Sequence, residues 1–470
     1  MKMIHHFFCA AAVLLGAFSQ SASGAPATIK ANDDAVSITS LSLPITLDHL
    51  TDNDTSTGSI FMFNASQPSS GAVQLKPNNV IVYTPSSKFS GTDTFTYSIS
   101  SSANGVGAIS TALVTIRNPY LIGRGVYSTE IAGPTPAHES SGYLQITTTS
   151  KATFTARLRF GGQSFSIKNT FGPTGRYVAV INRAGTLTDL VLDMQFAFTG
   201  TSRVDCILTM GAQATPFTAV LSPWTRTNKP LRAGRYTMIL RPPGLTSATP
   251  QGTGYAYFRI GTTGSVSILG RTGESRGFSS GSILKSNNTF PIYSPLYGGT
   301  GSLFGSVAIT VVNPTKTTLA ANLTWIKQKN ANDAFFPKGF NLTVPVIGSL
   351  FVEPPAQKTI LPVATLKNFN AKFKAESGNL RAARTELALL GKRPDAGLYE
   401  LSFDNAKRFA AKLVISPKTG LFRGSFYDTT TRDSHRINGV FVQSENAAYG
   451  IWNTHTRTGR VELLPDPVGL

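Results

Sequence analysis

The chain of 470 residues is poor in cysteine and in charge. It has only two cysteines, Cys9 and Cys206, and charged residues make up 14% of the sequence. A framework of several disulfide bonds, on which small secreted domains depend, is therefore excluded. The low charge together with 41% hydrophobic residues also argues against an intrinsically disordered chain.

Membrane-spanning and metal-binding patterns are scarce as well. After residue 18, no apolar run reaches the roughly 20 residues that a helix needs to cross a bilayer. The four histidines beyond residue 6 are far apart and have no cysteine nearby, so the spacing of zinc ligands is missing. A Walker loop and a G-x-G-x-x-G motif after a strand are also missing. The sequence predicts no catalytic residue and, apart from calcium, no cofactor.

The first 24 residues have the pattern of a secretory signal peptide. Lys2 supplies positive charge, Phe7 to Phe18 form a short apolar run, and small residues follow at 22–25. Removal of residues 1–24 leaves Cys206 as the only cysteine, so the exported chain depends on core burial for its stability. We expect a secreted or surface-held protein in which Cys206 is a small buried residue.

Two alternating runs between residues 76 and 100 are the clearest structural signal. The runs 80–83 and 94–99 alternate between the two faces of a strand, and a connector rich in Pro, Ser and Gly separates them. A period of two residues is typical of β-strands with one buried face, so the segment predicts two strands joined by a turn. The 43 glycines and the low charge of the whole chain favour many short strands, hence an all-β protein.

Residues 29–118 resemble the Ig-like and cadherin-like modules that are repeated in large bacterial surface proteins. The resemblance rests on the pattern Y-T-P…F-x-G-x-D-x-F-x-Y at 83–97 and on segments rich in Asn and Asp at 32–34 and 50–55. It implies an Ig/cadherin-like β-sandwich over 25–118 that serves as a stalk or adhesion module on a bacterium.

Five aspartates of this module form a candidate calcium site. Asp52 and Asp54 are followed by Ser56 and Gly58, an alternation of oxygen side chains that is found in loops binding hard cations. Related modules gather acidic residues near one end, which implies that three further aspartates join them. The whole set is Asp33, Asp34, Asp52, Asp54 and Asp93. A calcium ion needs six or more oxygens, and these side chains could instead bond their own backbone in turns.

Residues 119–470 contain a degenerate repeat. The tripeptide Gly-x-Tyr occurs at 125–127, 234–236 and 397–399, and each copy leads into a strand-like run. These runs predict a β-meander or barrel-like body. A break near 229–233 would divide it into lobes at 119–230 and 231–470. Whether 379–390, which is rich in helix-forming residues, is helix or strand is left open by the sequence.

The body is also similar to a β-rich domain of secreted proteins from Verrucomicrobia-like environmental bacteria. The matching pieces lie at 290–302, 323–327, 419–426 and 439–450. No activity is attached to that domain, so the resemblance implies an all-β extracellular body and no particular chemistry.

Positive charge is concentrated in the body. Residues 25–119 have a net charge of −2, whereas residues 120–470, with 38 Lys and Arg against 18 Asp and Glu, have a net charge of +20. Such a basic surface attracts polyanions over a long range, so the candidate partners are anionic polysaccharide, envelope phosphate and extracellular DNA without sequence-specific recognition. Solubility or a general bias of the proteome would explain the charge equally well.

Two patterns in the body have catalytic associations. Residues 273–277 fit G-x-S-x-G, the turn that exposes the nucleophilic serine of α/β-hydrolases, but the residues that follow cannot easily form the required helix. A hairpin turn is expected there instead. A glycosidase would need two carboxylates that face each other. The candidates are Glu130, Glu139, Glu274 and Asp428.

Aromatic side chains of the body could stack on sugars, although strand alternation directs about half of them into the core. They are Tyr255, Tyr257, Tyr293, Tyr297, Trp325, Tyr449 and Trp452. The sequence therefore predicts a secreted or cell-surface, non-enzymatic structural or adhesion protein that binds anionic glycans or envelope polyanions. The alternative is a carbohydrate-active or carbohydrate-binding protein with its site in the β body. A membrane-embedded barrel is a further alternative, disfavoured by the charges in the short strands.

Overall fold

The computed structural model describes residues 28–465 except for 39, 87–88, 90, 103–104, 106, 134, 186, 199–201, 245, 247, 314–315, 356–359, 361–370, 377–379, 381–382, 394–397, 404–410, 429–431 and 455–456. The expected signal peptide at 1–24 lies outside the described residues. The chain divides into two compact units, Met1–Arg117 and Asn118–Leu470. Nearly all regular structure is β-strand, which confirms the predicted all-β class.

The described part of the N-terminal unit has nine strands. They are β1 (Ile29–Lys30), β2 (Asp34–Ser37), β3 (Ile45–Leu47), β4 (Thr55–Ser56), β5 (Phe61–Ala65), β6 (Gly71–Lys76), β7 (Val80–Pro85), β8 (Thr92–Ser100) and β9 (Ile109–Arg117). One sheet has the order β2-β9-β8-β5, a second has the order β3-β7-β6, and β1 pairs with β4. β2 runs parallel to β9, while β8 is antiparallel to β9.

The two larger sheets of this unit share one apolar core. Ile81 and Tyr83 of β7, and Phe95, Tyr97 and Ile99 of β8, alternate with more exposed neighbours and are at most 2% exposed. The rings of Tyr83 and Phe95 stack across the core with their centroids 6.4 Å apart. The strands predicted at 80–83 and 94–99 are thus confirmed, and the unit is an Ig-like β-sandwich.

The body begins with the short helix α1 (Pro119–Ile122), which the Asn118 side chain caps by accepting the Tyr120 amide at 2.9 Å. Eight strands follow: β10 (Gly125–Ile131), β11 (Gly142–Thr148), β12 (Thr153–Phe160), β13 (Gln163–Thr170), β14 (Arg176–Ile181), β15 (Leu190–Phe196), β16 (Arg203–Met210) and β17 (Gln213–Leu221). They form a sheet, here called sheet 1, in the order β13-β12-β11-β10-β17-β16-β15-β14. Cys206 of β16 is buried, as predicted, and burial raises the pKa of its thiol to about 12.

Sheet 2 repeats this arrangement. Its strands are β18 (Gly234–Leu240), β19 (Gly254–Ile260), β20 (Ser265–Arg271), β21 (Gly277–Ile283), β22 (Thr289–Leu296), β23 (Gly301–Asn313), β24 (Lys316–Lys327) and β25 (Phe340–Leu350). The order is β21-β20-β19-β18-β25-β24-β23-β22. The sheet curls around its own core, in which the Phe258 ring lies 5.0 Å from Tyr236 and 5.3 Å from Phe290.

The last eight strands form a closed barrel. They are β26 (Ala371–Glu376), β27 (Arg384–Arg393), β28 (Leu398–Phe403), β29 (Ala411–Ile415), β30 (Leu421–Asp428), β31 (Asp433–Val442), β32 (Ala447–Asn453) and β33 (Thr458–Pro465). Of the segment 379–390, which the sequence left open between helix and strand, the residues from Arg384 onward are strand. They belong to β27 and pair with β26 and β28. Pairing on both sides therefore overrides the helix propensity of this segment.

The first strand pairs with the last in each of the three body assemblies: β10 with β17, β18 with β25 and β26 with β33. The Gly-x-Tyr copies at 125 and 234 open the first strands of sheets 1 and 2. The copy at 397 instead leads into β28, which is the third strand of the closed barrel. It therefore does not correspond in position to the other two copies. Two assemblies lie inside the lobe expected at 231–470, and the division of the body into domains stays a proposal.

Helical structure in the described chain is confined to short turns. Besides α1, there are 3₁₀ turns at Tyr297–Gly299 and Gln443–Glu445. Of the helices described, none has the length and apolar character that crossing a membrane requires.

Candidate functional site

Sheet 2 is unpaired between β21 and β22, and we call this gap the seam. In the described chain these strands stand at opposite ends of the strand order. The Tyr293 backbone faces β21, where its N–H donates to the Ser280 hydroxyl at 3.4 Å and its carbonyl accepts from that hydroxyl at 3.1 Å. The backbone nitrogens of Pro291 and Pro295 point to the same side of the strand as that of Tyr293, but a proline nitrogen has no hydrogen to donate. The edge of β22 therefore has fewer donors for a ladder with β21.

A groove follows the seam as three cavities that share lining residues. The first, of about 750 Å³, lies beside the Tyr297–Gly299 turn. The second, of about 430 Å³, shares Gly277 and Pro295 with the first. The third, of about 440 Å³, shares residues 269–271 with the second and reaches β30 of the closed barrel. We call the three together the seam groove.

Basic side chains dominate the charged lining of the seam groove. Arg276 and Lys327 line the first cavity, Arg271 lines the other two, and Arg423 lines the third. Asp333 is the one acidic side chain among the described lining residues, and its Oδ2 lies 3.2 Å from Lys327 Nζ and 3.8 Å from Arg276 Nη2. The exposed guanidinium groups of Arg271 and Arg423 thus leave the groove positively charged.

Two of the predicted sugar-stacking aromatics line the seam groove near the closed barrel. Tyr255 and Tyr257 of β19 border the third cavity, where Tyr257 is half-buried and Tyr255 is 8% exposed. Tyr297 borders the first cavity. The remaining four, which are buried side chains, are Tyr293, Trp325, Tyr449 and Trp452. The expectation that many of these rings serve core packing is therefore confirmed.

A group of charged and hydroxyl side chains lies directly beneath the first cavity, and we call Glu274, Tyr297, Lys327 and Asp333 the buried ion cluster. The side chains of Lys327 and Glu274 are each 1% exposed. Lys327 Nζ lies 3.2 Å from Glu274 Oε1 and 3.2 Å from Asp333 Oδ2, and it also donates to the Phe335 carbonyl. Every N–H of this ammonium group thus has an acceptor.

Tyr297 connects Glu274 to the sheet core. Its hydroxyl donates to Glu274 Oε2 at 2.8 Å and accepts from Trp325 Nε1 at 3.0 Å. Tyr297 has a φ of 54°, a conformation that is costly for a bulky residue, and Gly298 follows with a φ of 68°. The backbone strain at this turn therefore coincides with the wall of the first cavity.

A hairpin of sheet 1 closes one side of the first cavity. Gly162, between β12 and β13, donates its N–H to the Tyr293 hydroxyl at 2.9 Å. Any side chain at position 162 would collide with the Gly299 carbonyl, so only glycine fits this approach. His138 of sheet 1 adds a contact to the same turn, with Nε2 lying 2.8 Å from the Gly299 carbonyl oxygen.

The acidic groups of the buried ion cluster have opposite pKa shifts. Burial raises the pKa of Glu274 above its ordinary value, although the Lys327 charge and the Tyr297 hydroxyl act against this change. For Asp333, burial also acts upward, but the Phe335 amide and the Lys327 and Arg276 charges together hold its pKa below the usual value. Burial and the nearby Glu274 charge raise the pKa of Tyr297. Glu274 is thus the carboxyl that takes up a proton first.

The four predicted carboxylates lie on four separate segments of the body. Glu130 lies in β10 and Glu139 precedes β11, whereas Asp428 ends β30. Glu274 lies in the turn between β20 and β21, and Ser275 there has a φ of 65°. Because β21 follows this turn, the predicted hairpin is confirmed and a hydrolase-type turn into a helix is absent from this described segment.

Glu274 and Asp333 come close enough to resemble the carboxylate pair of a glycosidase. Each has an oxygen 3.2 Å from Lys327 Nζ, so these two oxygens are at most twice that distance apart. Lys327 lies between them, however, and Glu274 is almost inaccessible. The pair therefore lacks the free space that an attacking water or a sugar needs.

The candidate calcium ligands of the N-terminal unit are engaged in hydrogen bonds. Asp93 is 3% exposed and its carboxylate accepts the Tyr83 hydroxyl at 2.9 Å and the Ser70 amide at 3.0 Å. Asp54 accepts the Asn32 amide at 2.8 Å and the Tyr97 hydroxyl at 2.9 Å. Such contacts stabilise loops without any ion.

The other three aspartates of that set also have close polar or charged neighbours. Asp33 accepts the Leu113 amide at 2.9 Å, and Asp52 lies 3.0 Å from His49 Nδ1. Burial, together with the charges of Asp54 and Asp33, raises the pKa of Asp34. Within the described ranges, no group of three or more His, Cys, Asp or Glu is placed to hold a metal ion. A calcium site stays a prediction.

Sequence reasoning missed Lys327, Asp333 and the two arginines that line the third cavity. Lys327 and Glu274 are 53 residues apart, and nothing local in the sequence shows that they meet. One signal was available for the seam itself. Pro291 and Pro295 lie in a strand-like run, and two prolines on one strand face are typical of an unpaired sheet edge.

Comparisons with known proteins identify the N-terminal unit alone. Residues 23–117 match the family model of the bacterial Ig domain. No curated protein matches the chain. No solved structure matches it either. The similarity of the body to a Verrucomicrobia-type domain therefore stays a prediction, and the part of this chain that is similar to a known family is its bacterial Ig-like module.

Proposed function

We propose that this protein is a non-enzymatic structural or adhesion protein, secreted or held at a bacterial surface, whose seam groove binds a linear anionic glycan. The Ig-like module is consistent with a structural or adhesive role at the cell surface. The observation that supports glycan binding is the set of three adjoining cavities whose described lining residues include four basic side chains and one acidic side chain.

The dimensions of the seam groove suit a polymer better than a single small ligand. Each of its three cavities has a volume within the roughly 300–1,000 Å³ of ordinary ligand pockets. Because neighbouring cavities share walls, one extended chain can occupy all three. Weak contacts in each cavity then add up, as they do in other multivalent complexes.

The chemistry of the third cavity suits a sugar acid. Arg271 and Arg423 present planar guanidinium groups that can each bind a carboxylate or sulfate through two hydrogen bonds. Tyr257 and Leu269, which is 66% exposed, add an aromatic and an apolar surface beside them. Charged and apolar contacts together are what a ring with acidic substituents requires.

Retention on an immobilised acidic polysaccharide tests the proposal. We expect the full chain to bind polygalacturonate, to bind neutral dextran much less, and to elute as salt is raised, because exposed ion pairs are screened. The double variant Arg271→Ala/Arg423→Ala should lose most of this retention. Equal retention on dextran, or salt-independent retention, would contradict the proposal.

A matched control separates the groove from general basicity. Arg124 and Arg226 are exposed and are not among the residues that line the three cavities. The variant Arg124→Ala/Arg226→Ala removes the same charge and should elute close to the unaltered chain. Equal losses in the two double variants would show that net charge, and not the groove, attracts the polymer.

A carbohydrate-active enzyme is the second candidate function; its carboxylates would be Glu274 and Asp333, which lie close together although Lys327 separates them. Release of reducing ends from the polysaccharides that the chain retains would support it, provided that Glu274→Gln and Asp333→Asn each abolish the release. Binding without any release is the result expected from the proposed function.

A further inference from the structure

The buried ion cluster brings an amine and two carboxyl groups together with very little access to water. Lys327 Nζ contacts Glu274 Oε1 and Asp333 Oδ2 at the same distance of 3.2 Å. The Lys327 and Glu274 side chains are each 1% exposed, whereas the Asp333 side chain is 13% exposed. Taking two opposite charges so far from water is expensive, and one stable way to remove both charges is to join the groups covalently.

We propose that Lys327 Nζ and Glu274 Cδ form an intramolecular amide bond, so that this protein cross-links its own sheet 2. Nζ lies 3.2 Å from Oε1, an oxygen bonded to Cδ, so the two groups that the bond would join are direct neighbours. The other two members of the cluster have the positions that such a reaction needs.

The condensation balances with the groups present. Asp333 takes a proton from the Lys327 ammonium, and the free amine attacks Cδ of the protonated Glu274 carboxyl, forming the N–C bond. Asp333 then returns its proton to Oε1 as the Cδ–Oε1 bond breaks, and one water leaves. The amide nitrogen releases its extra proton to solvent. No oxidant, reductant or other reactant is consumed.

Each catalytic role matches a contact. The Tyr297 hydroxyl donates to Oε2 at 2.8 Å, so it stabilises the negative charge that develops on that oxygen in the tetrahedral intermediate. The raised pKa of Glu274 favours the neutral acid, and the lowered pKa of Asp333 favours the carboxylate that acts as base. The first cavity, which Lys327 and Tyr297 line, gives the released water a route out.

The bond would connect the two sides of the seam. Glu274 lies in the turn between β20 and β21, and Lys327 ends β24 on the other side of the unpaired β21 and β22 edges. A covalent tie there holds together a sheet that backbone hydrogen bonds leave open. For a protein that carries mechanical load at a surface, such a tie resists separation of these strands.

Mass spectrometry of the denatured full chain tests the inference. We expect the unaltered chain to be lighter, by the mass of one water, than its residues require, and its digest to contain a branched peptide joining residues 274 and 327. The variants Lys327→Met and Glu274→Ala should each have the full mass of their residues. Denatured samples suffice, so the result for the unaltered chain stands even if a variant folds poorly.

Lys374 and Glu376 provide the matched control. Their side chains form an ion pair of 2.6 Å but are 33% and 18% exposed. Lys374→Met should therefore retain the mass deficit of one water. An unaltered chain with its full residue mass would overturn the inference. A branched peptide that instead joins Lys327 to Asp333 would overturn the roles assigned to the two acids.

Discussion

Sheet 2 and the closed barrel are built from eight strands in the same pairing order, yet only the barrel closes. In the barrel, β29 and β30 pair from Ala411 to Ile415, which joins its fourth strand to its fifth. In sheet 2 the corresponding strands, β21 and β22, meet at an edge where Pro291 and Pro295 remove two backbone donors. The two prolines therefore weaken pairing at this edge, although sheet 1 is also unpaired between its fourth and fifth strands, β13 and β14, which contain no proline.

The interiors of the two assemblies differ accordingly. The closed barrel is filled by aromatic rings, with His435 lying 4.8 Å from both Phe426 and Trp452. Sheet 2 also has an aromatic core, but near its open seam the filling is the buried ion cluster. The closed barrel thus buries one imidazole among aromatic rings, whereas the open seam leaves room for several charged groups that solvent can approach from one side.

The largest effect should come from removing the amine of the buried ion cluster. Lys327→Met leaves Glu274 buried without its partner, and loss of one member of a buried pair costs about 3–5 kcal/mol of unfolding free energy. Lys374→Met in the closed barrel breaks an ion pair that is partly exposed, so we expect a loss of at most about 1 kcal/mol. Urea unfolding of both variants measures the two losses of stability. Equal unfolding midpoints would contradict the larger loss expected for Lys327→Met.

The two assemblies should also respond to pH in opposite directions. His435 has no accessible surface, and burial lowers its pKa, although the charges of Asp428 and Asp433 act upward. The unfolded chain then binds the extra proton, so the barrel loses stability as pH falls below about 6.5, by up to about 1.4 kcal/mol per unit. The raised pKa of Glu274 has the opposite effect on stability. In a chain in which Glu274 is not joined to Lys327, its contribution to the free energy of unfolding is lost as pH rises above the ordinary pKa of 4.5.

Hydrogen exchange of peptides from the two assemblies separates these effects. Peptides of β30 to β32 should exchange faster at pH 5 than at pH 7, after correction for the intrinsic pH dependence of exchange, and His435→Phe should remove this difference. Lys285 has no part in either effect, so Lys285→Ala is a neutral control. Unchanged barrel protection between these pH values would contradict a neutral, buried His435.

Sequence patterns predicted the parts of this fold that depend on local order. The strands at 80–83 and 94–99 follow from an alternation that Ile81, Tyr83 and Phe95 obey in the structure. The hairpin at 273–277 was predicted because the residues that follow cannot easily form a helix. Strand β27 was left undecided because its own residues favour helix, and only pairing with β26 and β28 makes it a strand.

The candidate site was harder to predict because its parts come from distant segments. Glu274 was one of four candidate acids, but its partner Lys327 is 53 residues away and looked like any other lysine at a strand end. Whether Arg271 and Arg423 lie in one groove depends on how sheet 2 meets the closed barrel. Such placements follow from packing, on which composition and spacing carry no information.

The smallest effect should come from restoring the donors at the seam. In Pro291→Val/Pro295→Val, two backbone N–H groups would point toward β21, and each hydrogen bond they form is worth about 0.5–1.5 kcal/mol. We expect slower hydrogen exchange in β21 and β22 and weaker retention on polygalacturonate, because a closed seam narrows the groove. The change Pro295→Ala alone should give an intermediate result. If hydrogen exchange slows while retention on polygalacturonate is unchanged, the open seam does not determine binding. The difference between sheet 2 and the closed barrel would then concern the fold and not the function.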